Sequence, residues 1–184
     1  MEPGRRLRGV TCVTANQQPS VLPREVKHAS ALAEFYAASY SRVLAVLAVA
    51  AGDRREAEEV VQEAFIRLVP RWPTVSRYDD PEAWVRKVAF RLLSNRFRQL
   101  RRSMRAVGRM DVPGVSAEPS SLAVDVARAL ASLPLAQRQV VVLHHLAGLP
   151  VDQVARELRV PVGTVKSRLS RAREALKPLL TEEP

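Results

Sequence analysis

The chain has 184 residues, of which 47% are hydrophobic, 26% are charged and 5% are aromatic. This length allows one or two small domains with proper hydrophobic cores, and the scarcity of aromatic residues favours helical bundles packed with Leu, Val and Ala over a sheet protein. The formal net charge of +10 indicates a polyanionic partner. Cys12 is the single cysteine, which excludes an intramolecular disulfide, and with three histidines it cannot complete a zinc site, so no metal or cofactor is expected.

The cysteine usage fits a reducing compartment, and we expect a cytoplasmic chain without stable membrane insertion. The longest apolar run, Val43 to Ala51, is about half as long as a membrane span must be. Arg5 and Arg6 are similar to a twin-arginine signal, but the residues that follow them are too polar for the apolar segment of such a signal. Residues 1–27 show no helical periodicity and are expected to form a disordered leader.

Two helices are predicted in the next stretch. Apolar residues at steps of three and four indicate one over about 31–52, and Asp53 can cap a second one over about 54–68. Between Asp53 and Glu63 there are five acidic residues and two arginines, a net charge of −3 in a strongly basic chain. This face is poor for DNA but suits a basic protein partner, although a merely solvated face is the alternative. The residues that we expect to bind such a partner are Glu59, Gln62 and Glu63.

A loop rich in turn residues is predicted over 70–81, before a third helix that Pro81 opens and that Asp79 or Asp80 can cap. From Glu82 to Arg109 there are nine basic residues and one acidic residue, a net charge of +8. The regular polar side of this helix predicts contacts with phosphates. It carries Lys87, Arg91, Ser94, Asn95, Arg98, Arg102 and Arg105.

Four aromatic residues in and after this loop could stack on an unpaired base. Trp84 and Phe97 lie on the apolar side of the third helix and are predicted to be part of the core. Trp72 and Tyr78 belong to the loop and are better placed to meet an unstacked base.

A flexible linker is predicted over 105–121, where Gly, Pro and Ser replace the apolar periodicity. The helical pattern returns at Leu122. Pro134 starts a further helix, which Gly148 ends. His144 and His145 are neighbours in that helix, but no carboxylate or cysteine accompanies them, so a metal site is not expected.

The stretch over 151–176 has the pattern of a helix-turn-helix. Its first helix should stop near Arg159, because Pro161 lacks an N–H and disfavours helix at the residue before it. A second helix follows, with a buried stripe of Val165, Leu169, Ala172 and Leu176. Its other side is basic and hydroxyl-bearing, which suits the major groove of DNA, and the alternative is a solvated basic helix in an ordinary bundle. The predicted DNA-contacting residues are Thr164, Lys166, Ser167, Arg168 and Arg171.

The predicted fold is all-α. It consists of two small helical bundles, over 28–104 and 122–180, joined by a flexible linker, and the second bundle contains the helix-turn-helix.

Two segments resemble the sigma-70 family of bacterial transcription factors, in particular its extracytoplasmic-function group. The first segment reads DRREAEEVVQEAFIRLVPRW (53–72) and continues with PEAWVRKVAFRLLSNRFRQLRR (81–102). The second segment is LASLPLAQRQVVVLHHLAGLPVDQVARELRVPVGTVKSRLSRAREAL (130–176). The first is similar to the domain that binds core RNA polymerase and reads the −10 promoter element, and the second to the reader of the −35 element.

The resemblance implies a sigma factor that directs promoter-specific initiation, has no catalytic residues of its own, and can be a target of an anti-sigma factor. Glu59, Gln62 and Glu63 would bind core polymerase. The −35 duplex would meet the basic side of the second helix of the helix-turn-helix. The residues implied for the −10 element are Trp72, Tyr78, Lys87, Arg91, Asn95 and Arg98.

Three other classes of protein compete with this interpretation. A stand-alone helix-turn-helix regulator would dimerise on a palindrome and leave the acidic helix without a purpose. A nucleic-acid enzyme would need clustered carboxylates for a metal, or a nucleophile beside a base, and neither pattern is found. An RNA-binding antiterminator would keep the basic stripe but would not need a reader of duplex DNA.

Two positions depart from the family pattern. Arg159 stands where the family often has the glycine of the turn, so a left-handed backbone there would cost about 1 kcal/mol. Pro150 replaces the usual Ser or Thr cap of the first helix of the helix-turn-helix.

Overall fold

The computed structural model describes residues 24–107 and 122–181, and every element within those two ranges is helical. The first range contains α1 (Arg24–Ala51), α2 (Arg54–Leu68), a 3₁₀ turn (Val69–Arg71), α3 (Trp72–Val75) and α4 (Pro81–Val107). The second range contains α5 (Leu122–Ser132), α6 (Leu135–Val141), a π-helical turn (Val142–Leu146), α7 (Val151–Leu158) and α8 (Val162–Thr181).

The N-terminal bundle packs α1, α2 and α4 against one another. Gly52 ends α1 in the left-handed region, at φ 75°, and Asp53 then caps α2 by accepting a 3.1 Å hydrogen bond from the Glu56 amide. Both features confirm the sequence-based expectation. The core combines side chains from all three helices, among them Val43, Leu47, Val60, Val61, Leu68, Val85, Phe90 and Leu93.

The structure corrects two boundaries in this half of the chain. Helix α1 begins at Arg24, so residues 24–27, which were expected to belong to the leader, are helical. Helix α4 continues to Val107 and thus beyond the predicted start of the linker at 105. The remainder of the expected leader (1–23) and of the expected linker (108–121) lies outside the described residues.

The predicted loop over 70–81 also contains more structure than expected. It holds the 3₁₀ turn and α3, and only residues 76–80 remain non-helical. Trp72 and Val75 are buried there. The Trp72 ring packs against α1, with its centroid 5.0 Å from that of Phe35.

The C-terminal bundle contains the predicted helix-turn-helix. Helix α7 ends at Leu158, as expected, and Arg159 follows in the left-handed region at φ 56° and ψ 48°. Pro150 precedes α7 without a side-chain capping hydrogen bond. Val165, Leu169 and Ala172 form the buried stripe of α8 that the sequence predicts.

The two bundles pack against each other in the structure. Helix α1 contacts α5 and α6, and α4 contacts α7. Buried side chains of the two bundles therefore form one continuous core, which joins Val43 and Leu93 of the first bundle to Val140, Leu143 and Val154 of the second.

Helix α1 is long and apolar enough over Lys27–Ala51, 25 residues, to cross a membrane by length and composition alone. The apolar run considered in the sequence analysis is thus part of a longer apolar helix. Val43, Leu47 and Ala50 of this helix are fully buried in the protein core. The same apolar composition is found in helices that are buried at the centre of a bundle.

Candidate nucleic-acid and protein-binding surfaces

The acidic face of α2 is present and is held by arginines. Arg96 of α4 donates to Glu59 at 2.9 Å and to Glu56 at 3.3 Å, and Arg67 donates to Glu63 at 2.9 Å. The Glu59 side chain nevertheless keeps 52% of its accessible surface. The arginines therefore fix the positions of these carboxylates and leave them within reach of a partner.

Two exposed apolar residues extend this acidic face, and the sequence analysis missed them. Ile66 is 64% exposed and Val69 is 56% exposed. Together with Glu59 and Gln62 they follow steps of three and four, so all four residues lie along one side of the helix. Ile66 stands out of register with the buried stripe of α2, which was the available signal. An apolar centre with an acidic rim is typical of a protein-binding surface.

The basic side of α4 carries cations that are free of carboxylate partners. Within the described part of the chain, Lys87, Arg91 and Arg98 form no ion pair. Arg91 and Arg98 are exposed, whereas Lys87 and Asn95 are half-buried. Arg98 donates a hydrogen bond to the Asn95 side-chain oxygen, so these two polar groups are oriented together.

Two of the nine basic residues of this stretch already pair with carboxylates of other segments, contrary to what the net charge of +8 suggests. Arg96 forms ion pairs with Glu56 and Glu59 on the acidic face of α2. Arg86 is 7% exposed and donates to Asp80 at 3.2 Å, to Glu82 at 3.0 Å and to Glu157 of α7 at 3.0 Å. The available signal in the sequence was the position of Arg86, which directly precedes Lys87 and so falls outside the regular polar side of α4.

Arg86 is the one cation of this cluster and pairs with three carboxylates. This arrangement affects the pKa values of Arg86 and Glu157. Burial is the largest single influence and lowers the pKa of Arg86, but Glu157, Asp80 and Glu82 together outweigh it and raise that pKa above its ordinary value. Burial and the neighbouring Asp80 carboxylate together outweigh the effect of Arg86 and raise the pKa of Glu157 above its ordinary value. Arg86 therefore stays charged, and Glu157 takes up a proton more readily than a free glutamate does.

The two aromatic residues that were predicted to contact a base, Trp72 and Tyr78, differ in their exposure to solvent. Trp72 is 6% exposed and belongs to the core, so in this arrangement a base cannot reach its ring. Tyr78 is 48% exposed. It lines a cleft of about 400 Å³ with Trp84 and Lys87 of α4 on one side and side chains of α7 on the other, namely Gln153, Arg156 and Glu157. Asp80 borders the same cleft and caps α4 through a 2.8 Å hydrogen bond from the Ala83 amide.

The outer side of α8 presents all five of the predicted residues. Lys166, Ser167 and Arg171 are exposed, whereas Thr164 and Arg168 are half-buried. Ser167 donates its hydroxyl hydrogen to the Thr164 carbonyl at 3.0 Å. Within the described ranges no carboxylate pairs with Lys166, Arg168 or Arg171, so these cations are available to phosphates and guanine edges.

Polar contacts between the bundles were not predicted from the sequence. Arg138 of α6 donates to the carbonyl oxygens of Ala51 at 3.0 Å and Ala131 at 2.8 Å, and thus holds the C-terminal ends of both α1 and α5. Burial lowers its pKa, because the groups around it are carbonyls and not carboxylates. Gln139 donates to the Ser94 hydroxyl of α4 at 2.9 Å. Residues 24–107 and 122–181 hold no group of three or more His, Cys, Asp or Glu side chains placed to bind a metal ion.

Comparisons with known proteins match each of the two bundles to a family. The sigma-70 region 2 family matches residues 35–103, and the sigma-70 region 4 family matches residues 123–176. The chain is 30% identical to the ECF RNA polymerase sigma factor SigK of Mycobacterium ulcerans, an alignment that covers 81% of this chain and 83% of SigK. It is 31% identical to the ECF RNA polymerase sigma factor SigE of Mycolicibacterium smegmatis over 71% of this chain, and spans only 54% of SigE.

A solved structure shows the same fold. It is the sigma factor RpoE of Bartonella quintana, in complex with the anti-sigma factor NepR, with a TM-score of 0.73 and 20% sequence identity. The match covers 84% of this chain and 99% of RpoE. At that identity the likeness concerns the fold.

Proposed function

Because the chain belongs to the extracytoplasmic-function group of the sigma-70 family, which consists of promoter-recognising transcription initiation factors, we propose a division of labour among its surfaces. Helix α2 binds core RNA polymerase, α4 holds the −10 element and α8 reads the −35 element. Residues 24–107 form the first functional domain and residues 122–181 form the second. The factor acts in the cytoplasm and leaves catalysis to the polymerase. One observation carries the proposal: a single chain presents an acidic, partly apolar face on α2 and unpaired cations on both α4 and α8.

The polymerase-binding surface consists of Glu59, Gln62 and Glu63 with Ile66 and Val69 beside them. Exposed carboxylates steer a basic partner, and the two apolar side chains supply area that becomes desolvated on binding. The double substitution Glu59→Lys and Glu63→Lys should abolish retention on a core-polymerase column. Glu34→Lys, which changes an exposed acid of α1, should leave retention intact. Full retention of the double variant would refute this surface.

The −10 surface consists of Tyr78, Lys87, Arg91, Asn95 and Arg98. The cations neutralise phosphates of the melted strand, and the exposed Tyr78 ring offers a stacking platform for an extruded base, as single-strand binders use. Trp72, an expected base contact, supports this segment from the core instead. Tyr78→Ala should weaken binding of the −10 strand by about 1–3 kcal/mol, measured by fluorescence anisotropy on holoenzyme. Tyr36→Ala, at a half-exposed tyrosine of α1, provides the control.

The −35 surface is the outer side of α8, with Thr164, Lys166, Ser167, Arg168 and Arg171. Lys and Arg can bind guanine edges or phosphates, and the hydroxyl groups can serve any base. A helix that buries one stripe and presents the other side to solvent, immediately after a tight turn, has the geometry that enters the major groove.

The factor is also proposed to be a target of an anti-sigma factor. The support is the likeness of its fold to RpoE of Bartonella quintana, whose structure holds the anti-sigma factor NepR. We expect a partner of this kind to cover surfaces of the two bundles. Affinity capture of the full chain from its own host, with the Glu59→Lys and Glu63→Lys variant as a polymerase-free bait, would isolate it.

Run-off transcription tests the proposal directly. Purified core polymerase is given a pool of genomic promoter fragments with and without the protein. New, discrete start sites are expected only with the protein, and alignment of the fragments would supply the −10 and −35 sequences. If no new transcript forms and the protein binds DNA but not core, a stand-alone regulator becomes the better function.

A further inference from the structure

The cleft between α4 and α7 combines aromatic, cationic and acidic side chains. Its volume of about 400 Å³ is within the range of sites that bind small molecules. The lining includes Tyr78, Trp84, Lys87, Arg156 and Glu157. Such a combination can recognise a ligand that has a flat ring, an anionic group and a hydrogen-bond donor.

The Glu157 carboxylate in this cleft has one oxygen atom without a donor. The side chain is 5% exposed. Its Oε1 atom accepts a hydrogen bond from Arg86 at 3.0 Å, whereas no donor of residues 24–107 and 122–181 lies within hydrogen-bonding distance of Oε2. Burial has the largest effect on the pKa of Glu157 and raises it, and the nearby Gln153 amide opposes that effect without bonding to Oε2. Because nearly all buried polar atoms of folded proteins have a partner, Oε2 is a position for a donor that belongs to a ligand.

The two cations of the cleft are more exposed than the carboxylate. The Arg156 side chain keeps 68% of its accessible surface, although it also donates to Asp152 at 2.8 Å. Lys87 is half-buried and forms no ion pair within the described part of the chain. A ligand whose donor meets Glu157 would therefore place an anionic group at the solvent side of the cleft, beside these cations.

We propose that this cleft binds a free purine mononucleotide whose base carries an amino group, namely an adenine or guanine nucleotide. The amino group donates to Oε2 of Glu157. The base stacks on the exposed Tyr78 ring beside Trp84, and the phosphate binds Lys87 and Arg156. This site goes beyond the proposed function and requires neither polymerase nor a promoter.

Simpler ligands match only part of this chemistry. Inorganic phosphate would meet the cations, but it would be repelled by the carboxylates of Asp80 and Glu157 and would not stack on an aromatic ring. A cationic amine would supply a donor to Oε2, but Lys87 and Arg156 would repel it. A nucleotide carries its donor on a neutral base and its charge on the phosphate, so each part meets a group of complementary chemistry.

The first test changes the ligand and leaves the protein intact. Isothermal titration calorimetry of the full chain should show saturable binding of adenosine 5′-monophosphate (AMP) and of guanosine 5′-monophosphate, with one nucleotide per chain. Purine riboside 5′-monophosphate lacks the amino group and should bind at least about tenfold more weakly than AMP, because it leaves the buried Oε2 of Glu157 without a donor. Adenosine, which lacks the phosphate, should also bind about tenfold more weakly.

The second test changes the protein, with circular dichroism as a check on folding. Lys87→Ala should weaken AMP binding about tenfold and leave adenosine binding unchanged, since only AMP carries the phosphate. Lys27→Ala, at an exposed lysine of α1, is its matched control. Tyr78→Leu should weaken binding of both ligands by about tenfold through the loss of stacking. Tyr36→Leu, at the half-exposed tyrosine of α1, should weaken neither.

Fluorescence locates the ligand in the cleft. The chain has two tryptophans, and Trp72 is buried in the core. A base stacked beside Trp84 should quench its emission as AMP is added. Trp84→Phe should remove this signal and keep the calorimetric binding.

Three results would overturn the inference. One is the absence of binding by either nucleotide at millimolar concentration. Another is equal affinity for AMP and purine riboside 5′-monophosphate, which would mean that water satisfies Oε2. The third concerns the source of the base: if a short single strand of deoxyadenosine binds, loses affinity in Glu157→Gln and AMP does not bind, the cleft holds a base of a strand and not a free nucleotide. None of these measurements depends on polymerase, so failure of the nucleotide site is distinguishable from failure of the sigma-factor function, which run-off transcription tests.

Discussion

The two basic helices use their cations differently. On α4, Arg86 and Arg96 form ion pairs with carboxylates from other segments of the chain. On α8, no ion pair of the described residues involves Lys166, Arg168 or Arg171. A cation that already has a carboxylate must lose that partner before it can neutralise a phosphate. Net charge therefore overstates what α4 offers to DNA, whereas these three cations of α8 are available.

The helix ends of the two bundles differ as well. In the N-terminal bundle, Asp53 caps α2 and Asp80 caps α4 through hydrogen bonds to backbone amides. In the C-terminal bundle, α6 and α7 begin after Pro134 and Pro150, neither of which provides a side-chain cap. The helix-turn-helix therefore depends more on packing than on local signals.

The largest effect should come from the structural arginine of α4. Arg86→Ala leaves Glu157 and Asp80 without their cation, whereas Glu82 keeps its pair with Arg42, and should lower the free energy of unfolding by about 3–5 kcal/mol. Arg91→Ala, at an exposed position of the same helix, should change it by less than about 0.5 kcal/mol. Urea denaturation followed by circular dichroism measures both. Equal losses of unfolding free energy in the two variants would contradict the distinction between a structural arginine at 86 and an exposed one at 91.

Arg171→Ala should affect DNA binding and leave folding unchanged. If Arg171 contacts a phosphate, the dependence of log affinity on log salt should fall by about one unit; if it reads a base, discrimination at one position should relax by about 1–3 kcal/mol. Anisotropy titrations with a −35 duplex across salt concentrations separate the two cases. Arg54→Ala, an exposed arginine of α2, is the control. No change in either quantity would make Arg171 a solvated residue.

Helix α7 lacks a side-chain cap, so a substitution that supplies one should stabilise the protein. Pro150→Ser supplies an oxygen that can accept from an amide of the first turn, and should raise the free energy of unfolding by about 1 kcal/mol. For a chain of this length that corresponds to a rise of about 2–4 °C in Tm, which differential scanning calorimetry can resolve. An unchanged or lower Tm would mean that the proline itself contributes as much as a cap would.

The smallest effect concerns the turn of the helix-turn-helix. Arg159→Gly removes the cost of a left-handed backbone, and the flexibility of glycine in the unfolded chain offsets part of that gain, so the net stabilisation should be below about 1 kcal/mol. Arg156→Gly, three residues earlier within α7, should instead destabilise by about 1 kcal/mol. Thermal unfolding of the two variants should thus shift Tm in opposite directions. A shift in the same direction would contradict the backbone argument.

Local signals in the sequence were sufficient for most of the long helices and for several of their ends. Gly52, Asp53, Pro81 and Gly148 mark boundaries because their preferences arise within a few residues of the backbone. The five predicted residues of α8 lie on its outer side for the same reason, since helical periodicity alone separates them from Val165 and Leu169. A prediction was wrong where tertiary packing determines the outcome. Trp72 was predicted to be available in a loop, but it is buried in the core beside Phe35.

By itself, the sequence determined that this protein is an all-helical chain with an acidic helix, two basic helices and the motifs of a sigma factor. Periodicity, capping and charge are properties of neighbouring residues, so they can be read along the chain. Only the tertiary structure decided which arginines are available to DNA and that α7 packs against α4. Those outcomes depend on partners such as Arg86 and Glu157, which lie 71 positions apart in the sequence and meet only after both bundles have folded.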